Sequence, residues 1–167
     1  MKPYIRSAPA MALAFFFGLA CPAQAEYPES VRFLGSLWTT ANFQDLGVRS
    51  LREYTTGDET VQSWTRLLSV VRSQGQMTTG TLWSSVRTQF LAQSCPEADL
   101  QNLGQTENDL YYLRDYRRCR EPSPEINMVR VTNHGGQIIA IVYATRSGIE
   151  ADEAAELMDE LDRFPLE

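Results

Sequence analysis

The run from Ile126 to Thr145 constrains this chain more than any other. Ile126–Thr132 and Gln137–Thr145 are rich in β-branched residues, and Asn133-His134-Gly135-Gly136 stands between them. Glycine supplies the backbone freedom a tight turn needs, so the segment predicts an antiparallel hairpin. In its second arm Ile139, Ile141 and Tyr143 alternate with Ala140, Val142 and Ala144, the period of a strand. A helix is expected next. Ala154, Leu157, Met158, Leu161 and Phe164 recur at helical spacing, and Pro165 stops the pattern. Ser147 or Gly148 begins the turn into it, and Glu150, Asp152 and Glu153 suit the positive end of its dipole. The opposite face carries Glu156, Asp159, Glu160 and Asp162. That stripe lacks the ligand spacing and glycine of a calcium loop and reads as solvated. A hairpin followed by an amphipathic helix points to an α+β domain.

The remaining elements carry weaker signals. Thr81–Gln93 fits a helix, with Trp83, Val86 and Phe90 on one face and Cys95-Pro96 ending it. Leu110–Tyr116 reads as a strand, Leu110 and Tyr112 facing away from Tyr111 and Leu113. Val31–Leu37 and Leu46–Tyr54 have some strand character. Thr60–Arg72 supports two readings. Val61, Trp64, Leu68 and Val71 fit a helix, whereas Leu67–Val71 suits a strand, and periodicity does not choose between them. Prolines and glycines concentrate only at Glu121-Pro-Ser-Pro124 and His134-Gly-Gly136, both short enough to be loops within one domain.

The N-terminus reads as a secretory leader. Lys2 and Arg6 precede the apolar run Ala10–Ala20, and Ala23-Gln-Ala25 offers small residues at a cleavage point. The expectation is a signal peptide over 1–25 and a single α+β domain over 26–167, in the periplasm or secreted. The apolar run is too short for a permanent span, and no later stretch approaches that length, so no stable membrane insertion is expected. Cys21 raises lipid attachment as an alternative, although Gly18 stands where such signals usually place leucine. With Cys21 removed, Cys95 and Cys119 form an even pair, which in an oxidising compartment predicts a disulfide. Closing that loop stabilises the fold by about 3 kcal/mol. A reactive cysteine beside His134 is the alternative, and an oxidising compartment disfavours it.

Charge narrows the function. The 167 residues carry a net charge of −6, and without Lys2 and Arg6 the remaining 13 arginines face 21 carboxylates, a balance of −8. Nucleic-acid or anionic-membrane binding wants the opposite sign. No lysine follows Lys2, which excludes Schiff-base chemistry, a phosphate-loop lysine and a Ser–Lys dyad. His134 is the sole histidine, which excludes multi-histidine metal centres. Gly-x-Ser-x-Gly, His-Glu-x-x-His, dinucleotide glycine and Cys-x-x-Cys patterns are missing, and no cofactor, metal or catalytic residue is expected.

Three places could still carry chemistry. Arg114, Arg117, Arg118 and Arg120 crowd among Tyr111, Tyr112 and Tyr116, a composition suited to stacking and anion contacts. Asp109, Asp115 and Glu121 stand ready to neutralise those arginines. Glu53, Asp58 and Glu59 cluster as candidate acid–base carboxylates, though Thr-Gly-Asp-Glu is also ordinary turn chemistry. Trp64 beside them reads as a core anchor. His134 falls in the hairpin turn, where a solvated histidine is the simpler reading.

The segment Glu53-Tyr54-x-x-Gly57-Asp58-Glu59-Thr60-x-x-x-Trp64-Thr65-x-Leu67-Leu68 resembles one found in small, mostly uncharacterised exported bacterial proteins. The order of helix, strands, hairpin and terminal helix is similar to the PsbP-like α/β/α sandwich. That resemblance implies an antiparallel sheet covered by helices, and a binding or assembly role more often than catalysis. It also implies a helical turn and then a strand for Thr60–Arg72. The fold expected is therefore α+β, a mainly antiparallel sheet covered by the Thr81 and Ala151 helices and pinned by Cys95–Cys119. The function expected is a non-enzymatic protein-binding or accessory module, of immunity or assembly-factor type, whose partner is another protein of the envelope or outside the cell. Trp38, Tyr111, Tyr112, Arg114, Tyr116, Arg117 and Arg118 are its candidate contact residues. The alternatives are a small hydrolase using the carboxylates or His134, and a carrier of an apolar ligand.

Overall fold

The computed structural model describes residues 28–120 and 124–166, so the leader and Cys21 lie outside the described residues. The chain runs β1 (Ser30–Phe33), β2 (Ser36–Asp45), β3 (Arg49–Thr55), β4 (Arg66–Gln74), α1 (Thr79–Gln93), β5 (Asp99–Gln105), β6 (Asp109–Asp115), β7 (Ile126–His134), β8 (Gln137–Thr145) and α2 (Ala151–Arg163). All eight strands make one antiparallel sheet, in the order β1-β2-β3-β4-β8-β7-β6-β5. The expected hairpin is β7–β8, paired from Ile126↔Thr145 to His134↔Gln137. Gly135 and Gly136 turn it at φ 57° and 80°, left-handed values that a side chain would resist. An α+β chain with a helix-covered antiparallel sheet is what the sequence leads one to expect. No helix among the described residues is long and apolar enough to cross a membrane.

Alternation decides which residues each face receives. On one face Tyr54, Leu68, Val70, Met128, Ile139, Ile141 and Tyr143 pack with Leu157, Leu161 and Phe164 of α2 and its exit, all of them buried. Glu150 and Glu153 form a capping box at the start of α2, which therefore begins beyond Ser147 and Gly148. At its other end the orphan carbonyls meet a buried cation. Arg130 donates from Nη1 to the oxygens of Leu161 (2.8 Å) and Asp162 (3.0 Å). Its Nε and Nη2 contact the Asp109 carboxylate at 2.9 and 2.8 Å. A cation there also satisfies the negative end of the helix dipole. Tyr111 donates its hydroxyl to Asp162, and Arg72 reaches the oxygen of Leu166 at 2.8 Å.

The other face is covered only in part. Leu82 of α1 packs on Leu110, Tyr112, Val129 and Val131, with Trp83 and Val86 beside it. Three ties hold α1 toward the β5 side. Asn133 exchanges hydrogen bonds with the backbone of Met77 just before the helix, at 3.2 and 2.9 Å. The Thr79 hydroxyl donates to the oxygen of Thr106. Past the last turn, Cys95 is disulfide-bonded to Cys119, their Cα atoms 5.9 Å apart.

Local expectations change in several places, and Asn133 and His134, expected in the hairpin turn, instead end β7. Val31–Leu37 is no single strand. Leu34-Gly35 turns between β1 and β2, with Leu34 at φ 48°. That left-handed leucine costs about 1–2 kcal/mol and is held by its own N–H on the Glu160 carboxylate (3.0 Å) and by packing on the core. Thr60–Arg72 resolves into a tight turn, Ser63 N–H to Thr60 oxygen at 3.0 Å, and then β4. The strand prevails because it pairs on both sides, with β3 and with β8. β5 escaped notice because Asp-Leu-Gln-Asn-Leu-Gly-Gln is polar and mostly exposed at an edge. The α2 stripe is not wholly solvated either, since Glu160 and Asp162 accept the bonds just described.

Candidate functional site

Part of the second face is left uncovered by this packing. Leu51 pairs with Val71, Glu53 with Ser69 and Arg49 with Ser73 across β3–β4. Ser69 and Val71 lie in turn opposite Val142 and Ala140 of β8. These residues point away from α2, and α1 stands on the far side of β8, so Leu51, Ser69, Val71, Ser73 and Val142 are only half-buried. The trough has a floor of small apolar and hydroxyl side chains. Glu53 is buried in it, accepting from Asn42 Nδ2 at 2.7 Å. Arg49 lies on the same face, and partial burial lowers its pKa. A single strand thus sets Arg49, Leu51 and Glu53 in a row, with opposite charges flanking an apolar centre.

One end of the trough is closed. Trp64 packs on Leu67 and Ala144, with Val61 alongside, and the Arg146 guanidinium lies 4.4 Å from the centre of the Trp64 ring. Beside it a shallow depression of about 500 Å³ is lined by Asp58, Glu59, Ser63, Trp64, Thr65 and Arg146. Oε1 of Glu59 accepts from the backbone N–H (3.0 Å) and hydroxyl (2.5 Å) of Thr65. This is turn chemistry, with Trp64 as the expected core anchor.

The residues singled out in the sequence separate. Trp38 is fully buried, its indole N–H donating to the oxygen of Phe33 at 2.9 Å, so it packs the core and offers no contact surface. Tyr111 and Tyr112 are buried on opposite faces and are corrected in the same way. Burial pushes both hydroxyls above the usual tyrosine range, and for Tyr111 the bond to Asp162 adds to the rise. Arg114 is half-buried beside the Tyr112 ring, and Tyr116 packs against Phe90. Arg117 is held by Asp115 at 2.6 Å. That hydrogen-bonded pairing lowers the Asp115 pKa and raises that of Arg117. Of the seven, Arg117 and Arg118 are exposed.

His134 and the carboxylates do not share a site. His134 pairs with Gln137, which faces Gln74 at one end of β4, whereas Thr65 and Glu59 adjoin the other end. The nine residues of β4 separate them, about 26 Å at strand rise. Among the described residues no group of three or more His, Cys, Asp or Glu side chains is placed to hold a metal ion.

Sequence reasoning missed the exposed apolar residues of the first hairpins: Leu37, Phe43, Leu46 and Val48. A strand pattern over 36–45 with phenylalanine between asparagine and glutamine was the available signal. No family model, curated protein or solved structure matches this chain.

Proposed function

We propose that this chain is an exported, non-enzymatic protein-binding module, and that its partner lies on the trough over β3, β4 and β8. The observation carrying this reading is a contrast within one strand. Val70 is buried under α2, while its neighbour Val71 faces the trough half-open. A sheet face that is flat, partly apolar and flanked by Arg49 and Glu53 suits a protein segment better than a small molecule, which prefers an enclosed pocket. The disulfide is compatible with a site of action outside the cytoplasm, in the periplasm or beyond the cell. The acidic balance favours a protein partner over nucleic acid. A PsbP-like sandwich, with the accessory or assembly role that goes with it, is supported by helices on opposite faces of an antiparallel sheet. An immunity-type role draws on the same compact, disulfide-bearing architecture.

Crosslinking in the native envelope, followed by mass spectrometry, tests the proposal. One reproducible stoichiometric partner is expected, lost with Val71→Arg in a chain that melts like wild type. A partner retained by Val71→Arg and Ser69→Arg alike overturns the trough as its seat. No partner for the abundant, folded chain overturns the binding reading itself.

A further inference from the structure

The trough floor contains a buried charge without a counter-charge. Among the described residues Glu53 is the sole buried carboxylate, at 7% exposure. Cross-strand pairing sets it between Asn42 of β2 and Ser69 of β4, in line with Val142 of β8. A buried charge normally comes with an opposite one. Even the half-buried carboxylates follow this rule, Asp109 meeting Arg130 at 2.8 Å and Asp115 meeting Arg117 at 2.6 Å. Among the described residues no arginine forms an ion pair with Glu53. Arg52, next to it in β3, lies on the opposite face, against Glu29 and the Phe43 ring. Arg49 shares its face but stands four residues along the strand, about 13 Å away.

One hydrogen bond holds this carboxylate, from Asn42 Nδ2 to Oε2 at 2.7 Å. Among the described residues the other oxygen, Oε1, accepts no hydrogen bond, and it is not sealed from water. It opens into the trough beside Leu51, Ser69, Val71 and Val142, all half-buried. We infer that a lysine of the protein partner sets its ammonium on Glu53 Oε1. Its methylene stem, with the apolar residues next to it, then lies over Leu51, Val71 and Val142. This inference rests on the trough being the partner's seat and adds the chemistry recognised there.

The single open oxygen selects the cation. An arginine fork binds a carboxylate best through both oxygens, and Asn42 already occupies the second. An ammonium is a compact donor that one oxygen satisfies, its remaining protons left for the Ser69 hydroxyl and water. The aliphatic stem of lysine also suits an apolar floor, whereas its charge requires the carboxylate. Overall charge has the right sign, since 13 arginines stand against 21 carboxylates after residue 25. A second copy cleaved after Ala25 has no lysine to offer, because none follows Lys2. The occupant is therefore a different protein. A charge pair desolvated within an apolar patch is the kind of contact that concentrates binding energy.

Zero-length crosslinking with a water-soluble carbodiimide, on the full chain in its native envelope, tests this contact. The reagent activates a carboxylate, a touching amine displaces it as the urea, and an amide bond joins the two side chains. Mass spectrometry should find the peptide that holds Glu53 joined to a lysine of one protein. Glu53→Gln keeps an acceptor for Asn42 and should melt like wild type. It should lose that link and weaken capture of the same protein about 10- to 100-fold. A second test needs no variant: acetylating the envelope's lysines before the purified chain is added should abolish capture. Capture that survives acetylation overturns the inference, as does a Glu53 that links to no lysine or only to a small polyamine. A partner lost with Val71→Arg but held at full affinity by Glu53→Gln overturns the lysine and leaves the trough as the seat. A partner retained by Val71→Arg and Ser69→Arg alike removes the trough, and the lysine contact with it.

Discussion

The same strands β3, β4 and β8 have two sides, and the two helices treat them differently. On the α2 side Tyr54, Leu68, Val70, Ile139, Ile141 and Tyr143 are sealed. On the α1 side their neighbours Leu51, Ser69, Val71 and Ala140 remain half-open. Helix length does not explain this, since α1 has 15 residues and α2 has 13. Placement does. Two sheet arginines, Arg72 and Arg130, reach carbonyls at the end of α2 and beyond it, and hold it over the middle strands. Asn133, Thr79 and the disulfide hold α1 against the β5 side. Each helix is thus fastened by polar ties beside the strands its apolar side chains cover, and the strands α1 does not reach stay half-open.

The sharpest way to break the comparison is to damage each side in turn. Leu161→Ala, at a fully buried α2 position, should cost about 3–4 kcal/mol in urea unfolding. Arg130→Met should cost about 3 kcal/mol, because Asp109 and two helix carbonyls lose their buried partner. If Arg130 mattered only as packing volume, methionine would restore most of it, and the measured loss would fall below about 1 kcal/mol.

The α1 side should break by loosening. Reduction of Cys95–Cys119, or the double change to serine, should lower stability by about 3 kcal/mol. Hydrogen exchange should rise first in α1 and β5 while α2 stays protected. Equal loss of protection in both helices would mean the two faces unfold as one unit.

Alkali gives a further test, on the α2 side. The Tyr111 hydroxyl is raised in the folded chain, chiefly by burial and then by its bond to Asp162. In the unfolded chain it ionises at the ordinary value near 10. Below that pH both states are neutral and the contribution is complete. As pH rises through the folded value the unfolded state loses its proton first, and stability falls. Unfolding should therefore become easier above about pH 10. Tyr111→Phe should flatten part of that decline, at a cost of about 1 kcal/mol at neutral pH from the lost hydrogen bond.

Much of this was legible in the sequence where one physical signal dominated. The β7–β8 hairpin followed from alternation and two glycines, α2 from its apolar stripe, and the disulfide from an even pair of cysteines. Leu34 illustrates the failure. Nothing in a leucine announces a left-handed turn, because its conformation is imposed by Glu160, 126 positions away. Trp38, Tyr111 and Tyr112 were offered as contact residues because aromatic and Arg-rich composition does not encode depth, and they proved to be core. The trough was equally hidden. It consists of what α1 fails to cover, and helix placement depends on Asn133 and Thr79, polar residues with no periodic signature.

The smallest expected effect separates the faces most cleanly, because it uses adjacent valines. Val70→Ala removes two methyl groups from a sealed site and should cost about 2 kcal/mol. Val71→Ala removes the same atoms from the trough floor and should cost about 0.5 kcal/mol, near the scatter of surface changes. Strand propensity and unfolded-state effects are common to both, so their difference isolates burial. Should Val71→Ala cost as much as Val70→Ala in the isolated chain, the trough floor is already sealed and the binding reading loses its surface. Should it remain cheap for stability yet weaken capture of the envelope partner, the open half of the sheet is kept open for binding.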